Sequence, residues 1–174
     1  MADVKALVGQ QDLKDKVITY SSGAELGHGA FAAVYRAKCD ELPCAAKILY
    51  SIFRGDPGVE ALKERFYLEC EYLKNIQHPN IVQYLGVCQE PSTREPVLLM
   101  ELMDESLTHF LEASVVPLSR EVQLRLCRDV ALALAHLHSI KIIHRDLSSN
   151  NVLLIGPGSR AKVSDFGMSR SPGV

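Results

Sequence analysis

Asp146, Asn151 and Asp165 have the clearest chemical content in this sequence. Asp146 follows His144 and Arg145, Asn151 comes five residues later, and Asp165 leads Phe166 and Gly167, 19 residues after Asp146. A carboxylate placed like Asp146 can orient an attacking hydroxyl and accept its proton. A hard cation such as magnesium needs oxygen donors, which an amide at Asn151 and a carboxylate at Asp165 supply. Apolar runs at Val152–Ile155 and Ala161–Ser164 flank Gly156-Pro157-Gly158-Ser159 and predict a small hairpin that folds the two donors toward each other. Gly167 permits a sharp backbone change just after a metal ligand. Two unrelated polar turns do not account for this spacing.

Two further groups would bring phosphate to such a centre. Gly27-His28-Gly29-Ala30-Phe31-Ala32-Ala33-Val34 is a glycine-rich turn whose backbone N–H groups can approach phosphate oxygens. A dinucleotide-binding turn needs a helix directly after its glycines. Here Val34-Tyr35-Arg36-Ala37-Lys38 followed by Pro43 predicts a strand, so the hairpin form is favoured, with an ordinary β-turn as the alternative. Lys47 follows small apolar residues in a predicted strand, where an ammonium needs a counter-charge. Glu69 falls on the apolar face of a predicted helix, where a carboxylate needs a partner too. An ion pair between them explains both, and the phosphates of a nucleotide would complete the lysine's contacts. Two snorkelling surface charges are the alternative.

The elements between these groups must position them. Residues 1–17 are polar-leaning and read as an N-terminal arm or short helix. From Ile18 to Leu49 the pattern is β-like, with Pro43 marking a break before Cys44-Ala45-Ala46-Lys47-Ile48-Leu49. Gly55-Asp56-Pro57-Gly58 reads as a loop. A helix follows from about Val59 to Ile76, with Leu62, Phe66, Glu69, Leu73 and Ile76 on one face. His78-Pro79-Asn80 ends it. Short strands are expected near Ile81–Cys88 and Val97–Glu101. Ser119 is a good N-cap for a second long helix carrying Val122, Leu126, Val130, Leu134 and Leu137. Strands, helix, strands, helix and hairpin make an α+β arrangement of two lobes joined near residues 101–105.

Composition narrows the partners. Apolar residues make up 47% and charged residues 23%, so a packed core is expected. A net charge of −2 without blocks of like charge argues against nucleic acid or a membrane surface. Cys39, Cys44, Cys70, Cys88 and Cys127 lack C-x-x-C spacing and read as small buried reduced thiols. No apolar stretch is long enough to span a bilayer and no signal peptide is visible, so the expected compartment is cytoplasmic.

With these residues in place, the chain resembles the eukaryotic protein kinase superfamily from about Ile18 to Gly167. The resemblance is carried by Gly27-x-Gly29-x-x-Ala32-x-Val34, Ala45-x-Lys47, Glu69, His78-Pro79-Asn80-Ile81-Val82, His144-Arg145-Asp146-x4-Asn151 and Asp165-Phe166-Gly167. It implies a kinase-like fold: an extension at 1–17, an N-terminal lobe at 18–100, a hinge at 101–105 and an incomplete C-terminal lobe at 106–174. It implies that ATP and Mg²⁺ bind between the lobes, with Asp146 as base and Asn151 and Asp165 as metal ligands. Leu26, Gly27, Gly29, Ala32, Val34, Ala45 and Leu153 would surround the nucleotide, Met100 would be the gatekeeper, and Glu101 and Met103 would meet the adenine edge. Tyr84, Leu73, Phe166 and His144 would form an apolar spine.

The family's finer division is less decided. A serine/threonine kinase usually carries a lysine two residues after the catalytic Asp; here Ser148 stands there. A tyrosine kinase usually carries an arginine two or four residues after it; here Ser148 and Asn150 stand there. Phe66-x-x-Glu69 and His78-Pro79-Asn80-Ile81-Val82 resemble tyrosine kinases or the tyrosine-kinase-like Ser/Thr group, and the latter is preferred. The missing basic residue removes a charge that would steady a transferred phosphoryl group. The family's activation segment and substrate-binding helices would lie beyond Gly167, and Arg145 would meet a phosphate there. The expectation for this chain is a truncated kinase with weak or no activity. The alternatives are a non-catalytic nucleotide-binding or kinase-docking module, a tyrosine kinase fragment, or a partial gene model with no independent fold. The stripe on the second long helix is expected to be partly exposed and open to a protein partner.

Overall fold

A computed structural model describes residues 18–29, 32–50, 58–90, 95–156 and 160–170. The expected N-terminal arm, Ala30-Phe31 of the glycine turn, the loop residues 55–57 and the hairpin tip 157–159 lie outside them. The chain divides into two compact units, Met1–Asn75 with Gln83–Leu102, and Ile76–Val82 with Met103–Val174.

The first unit is an antiparallel sheet of five strands, β1 (Ile18–His28), β2 (Ala32–Cys39), β3 (Leu42–Leu49), β4 (Tyr84–Gln89) and β5 (Pro96–Glu101), in the order β1-β2-β3-β5-β4. Small residues at Ala37, Cys39, Cys44 and Ala46 let β2 and β3 pack against Leu85 and Leu99. Pro43 does not break the strands. The turn lies earlier, at Asp40-Glu41, both with positive φ (45° and 68°), as a two-residue hairpin requires. In such a hairpin Cys39–Leu42 is the hydrogen-bonded closing pair, so Lys38–Pro43 is a non-hydrogen-bonded one. Pairing with β5 begins only at Cys44–Glu101, so the missing proline N–H costs no ladder bond.

Helix α1 (Gly58–Lys74) packs against β4 and buries Phe66, Glu69, Cys70 and Leu73. It stops short of Ile76 because Asn75 turns back on it, donating Nδ2 to Glu71 O at 2.8 Å. β4 likewise begins at Tyr84 rather than Ile81. The backbone before it is committed elsewhere: Val163 N–H donates to Asn80 O at 2.8 Å, and Val82 N–H donates to Val163 O at 3.0 Å. Residues 76–82, expected with the first lobe, therefore group with the second unit.

The second unit has a three-stranded antiparallel sheet, β6 (Glu105–Ser106), β7 (Val152–Ile155) and β8 (Arg160–Val163), and two helices, α2 (Leu107–Ala113) and α3 (Arg120–Ser139). Ser119 caps α3 by accepting Val122 N–H. α2 and β6 were not expected; Ser106 caps α2 by accepting His109 N–H at 3.1 Å. The long stripe of α3 is partly covered: Leu126 is buried against Val152, Leu154 and Ala161, Val122 and Val130 pack around them half-buried, and Leu134 is half-buried as well. The large apolar side chains that α3 exposes are Leu124 and Leu132, on another face. Cys127 is exposed as well, unlike the other four cysteines.

Candidate active site

In the first unit, β3 carries Lys47 and α1 carries Glu69, and the fold brings them together. Lys47 Nζ donates to both carboxylate oxygens of Glu69 at 2.8 Å, with the glutamate side chain 2% exposed. A bidentate pair of this kind compensates two desolvated charges and fixes the ammonium's position. Ala45 and Met100 are buried directly opposite each other across β3 and β5, while Val34 is half-buried and Leu26 exposed. Glu101 holds the end of β5: its Oε1 accepts Gln83 N–H at 2.7 Å, and its own N–H donates to Gln83 O at 3.0 Å.

The glycine turn joins β1 to β2, with Gly27 opposite Val34 and His28 opposite Ala33. Gly29 N–H donates to Ala32 O at 2.8 Å, so it closes the turn and is not one of the N–H groups offered to a ligand. A Cβ at Gly27 would meet nothing within 4 Å, and one at Gly29 would meet only Ala32 O, at 3.9 Å. Internal packing therefore does not demand glycine at either position.

In the second unit, the residues before and after the β7–β8 hairpin are drawn together. Asn151 closes a single 3-10 turn (Ser149–Asn151) and donates Nδ2 to Asp146 Oδ2 at 3.0 Å and to Asp146 O at 2.7 Å. That assignment directs its Oδ1 away from Asp146. Across the hairpin, Ser164 N–H and Ser164 Oγ both donate to Asn151 O, at 2.9 and 3.1 Å. Ser164 thereby ties the residue before Asp165 to Asn151. Asp165 takes a positive φ of 60° and accepts Gly167 N–H on Oδ1 at 3.3 Å. Arg145 is also left-handed, φ 69°. Such backbone costs on the order of 1 kcal/mol per residue and persists only where the surroundings hold it.

His144 supplies part of that hold. Its Nε2 donates to Ser164 O at 2.8 Å, Nδ1 accepts Asp146 N–H at 3.3 Å, and its ring meets Phe166 edge-on with centroids 5.1 Å apart. Of the expected spine, this contact is described within one unit; Leu73 is buried and Tyr84 half-buried in the other. Met103 is buried and Leu153 half-buried. Sequence reasoning missed Asp129, which is 4% exposed and accepts Ala161 N–H at 3.1 Å, and Asp104, which accepts Gly156 N–H at 2.7 Å. Asp129 left a signal: Leu126, Asp129, Ala133 and Leu137 recur at helical spacing, with one carboxylate among apolar residues.

Comparison with known proteins agrees in one direction. A family described as "Protein tyrosine and serine/threonine kinase" matches residues 20–172. The chain is 34% identical, over 98% of its length, to "Probable serine/threonine-protein kinase kinY" of Dictyostelium discoideum, covering 30% of that protein. It is 38% identical, over 86% of its length, to "Tyrosine-protein kinase Fer" of Mus musculus, covering 18% of it. An Arabidopsis thaliana relative named as a receptor-like protein kinase is 34% identical over 92% of the chain, which covers 24% of it. The chain thus spans less than a third of the length of these relatives.

Proposed function

Because this chain belongs to the protein tyrosine and serine/threonine kinase family, a family of phosphotransferases, we propose that it binds Mg·ATP and transfers the terminal phosphoryl group to a protein hydroxyl, serine or threonine in preference to tyrosine. The observation that supports this reading is the Asp146–Asn151–Ser164 network, in which Asn151 bonds both Asp146 and the residue that precedes Asp165. Asp146 orients the incoming hydroxyl and receives its proton. The Asn151 amide holds Asp146 in place, and Asn151 Oδ1 with the Asp165 carboxylate would hold Mg²⁺. Two protein donors suit an ion that keeps water and phosphate oxygens in its shell. When bound, the metal nucleotide supplies the phosphoryl group and neutralises its charge. Lys47, steadied by Glu69, meets the phosphates, and the open approach at Gly27 leaves room for them. Ala45, Val34 and Leu153 would sandwich the base, with Met100 behind it.

Transfer is expected to be slow, because Ser148 and Asn150 put no positive charge beside Asp146. Five free cysteines suit a reducing compartment, and we place the protein in the cytoplasm. Calorimetry with ATP, with and without Mg²⁺, tests binding, and a phosphate-transfer assay on serine, threonine and tyrosine peptides tests chemistry. Magnesium-dependent binding should disappear in Lys47→Met, and transfer should fall by at least about 100-fold in Asp146→Asn. Transfer indifferent to Asp146→Asn would overturn the assignment. Binding with no transfer in the parent chain would favour a nucleotide-binding module instead.

A further inference from the structure

Residues 76–82 are the stretch between α1 and β4, two elements of the first unit, yet they belong to the second. Backbone bonds to β8 hold them there, and the Asn80 side chain, 5% exposed, donates Nδ2 to Ala161 O at 3.0 Å. At the head of the stretch, His78 Nδ1 accepts Asn80 N–H at 3.1 Å. The His78 ring lies flat on the ring of His136 of α3, with centroids 4.9 Å apart and planes 21° from parallel. Lys162 of β8, itself 9% exposed, adds a cation to the same surroundings.

We propose that His78 and His136 form a proton-sensitive clasp that fastens residues 78–82 to α3 and β8 near neutral pH and loosens it on acidification. Protonating Nδ1 of His78 removes the acceptor for Asn80 N–H. It also sets an imidazolium against the His136 ring and the Lys162 ammonium, both of which disfavour it. Burial first, then His136, then Lys162 push His78 below the ordinary histidine value of 6.5. The sign follows: the folded chain favours neutral His78, so the clasp's contribution is complete above the unfolded value and is lost as pH falls through the lower folded one. Asn80, the remaining neighbour on the same stretch, is neutral.

Magnetic-resonance titration of the 174-residue chain from about pH 8 to 5 tests this directly. His78 should titrate below 6.5 and show the Nε2–H tautomer when neutral. Amide exchange at Asn80 and Val82, corrected for its intrinsic pH dependence, should accelerate with the same midpoint, by about tenfold for each unit by which His78 is depressed. His136→Phe keeps a ring in the stack but removes the imidazole that disfavours a charged His78, and should move the His78 midpoint upward. His78→Gln should abolish the proton dependence of exchange at both amides. A His78 midpoint at or above 6.5, or exchange at Asn80 and Val82 that does not follow it, would overturn the proposal.

Discussion

In the first unit a five-stranded sheet closes over Leu85, Val97 and Leu99, and among the described residues the buried charged or polar groups are two carboxylates, Glu69 and Glu95, each with a lysine beside it. In the second unit the strands are four residues long or shorter, and Asn80, Asp129, His144, Lys162, Ser164 and Ser169 are all buried. Long ladders hold the first unit's shape and leave its buried pair available for a task. Short ladders cannot shape the second unit's loops, so polar side chains do so by binding backbone groups: His144 to Ser164, Ser164 to Asn151, Asp129 to Ala161. The residues with the clearest chemistry sit on those loops. The same bonds that fold the second unit also arrange its candidate site, whereas the first unit's fold and its candidate site are more separable.

The sharpest way to break this comparison is a mutant cycle on Lys47 and Glu69. Lys47→Met takes the ammonium away from a carboxylate that is 2% exposed. It should cost about 3 kcal/mol or more in urea unfolding, while Lys47→Met combined with Glu69→Leu should recover most of that loss. The double variant would then be folded but unable to bind nucleotide, separating shape from task. If the double variant is no better than the single one, the pair is structural and the first unit is not separable in this sense.

A smaller effect is expected in the second unit, where no such rescue exists. Asp129→Ala removes the acceptor for Ala161 N–H and should cost about 2 kcal/mol. Asp129→Asn keeps an acceptor oxygen and should cost less than half of that. Because Ala161 lies on β8, hydrogen exchange after Asp129→Ala should loosen residues 161–164 before it loosens the first unit. Equal loss by the alanine and asparagine variants would mean that charge, not the hydrogen bond, is what Asp129 supplies.

What the sequence disclosed follows the same division. Glu69 was legible because a carboxylate interrupts an apolar stripe and a lysine in a strand answers it. The Asp129 stripe has the same form, but beside Arg128, 3.6 Å from Oδ1, the group that Oδ2 accepts from is a backbone N–H, which leaves no mark in the sequence. The hairpin at 152–163 and the Ser119 cap were legible from local turn and capping chemistry. The Asp40-Glu41 turn was not, because Asp40 tolerates a positive φ but Glu41 does not advertise one, and the nearby proline drew the boundary instead. β6 escaped because two residues carry no periodicity, and α2 because seven residues carry little and bury none of their own side chains fully. The early start expected for β4 failed because Ile81 and Val82 look like strand residues, and they do pair, but with β8.

The smallest effect near neutral pH, and the one that grows on the alkaline side, concerns the thiols. Burial is the leading cause that pushes Cys44, Cys70 and Cys88 up to about 12 from an ordinary 9.0, and it lifts Tyr20 and Tyr84 to about 12 as well. All five lie in the first unit. Their neutral forms are favoured in the fold, so they contribute fully below the unfolded values. That contribution falls as pH rises past the ordinary thiol value, because the unfolded chain gives up these protons first. The first unit should therefore loosen in alkali, while the His78 clasp makes the second unit the acid-sensitive one. Alkylation followed by mass spectrometry reads the difference. At about pH 8 Cys127, the exposed thiol, should label while the buried ones resist. Near pH 10 Cys44, Cys70 and Cys88 should begin to label together, since one sheet and its helix shield them all. Labelling of Cys88 ahead of Cys44 would instead show β4 opening alone, and would place the weak edge of the first unit at the strand that follows residues 76–82.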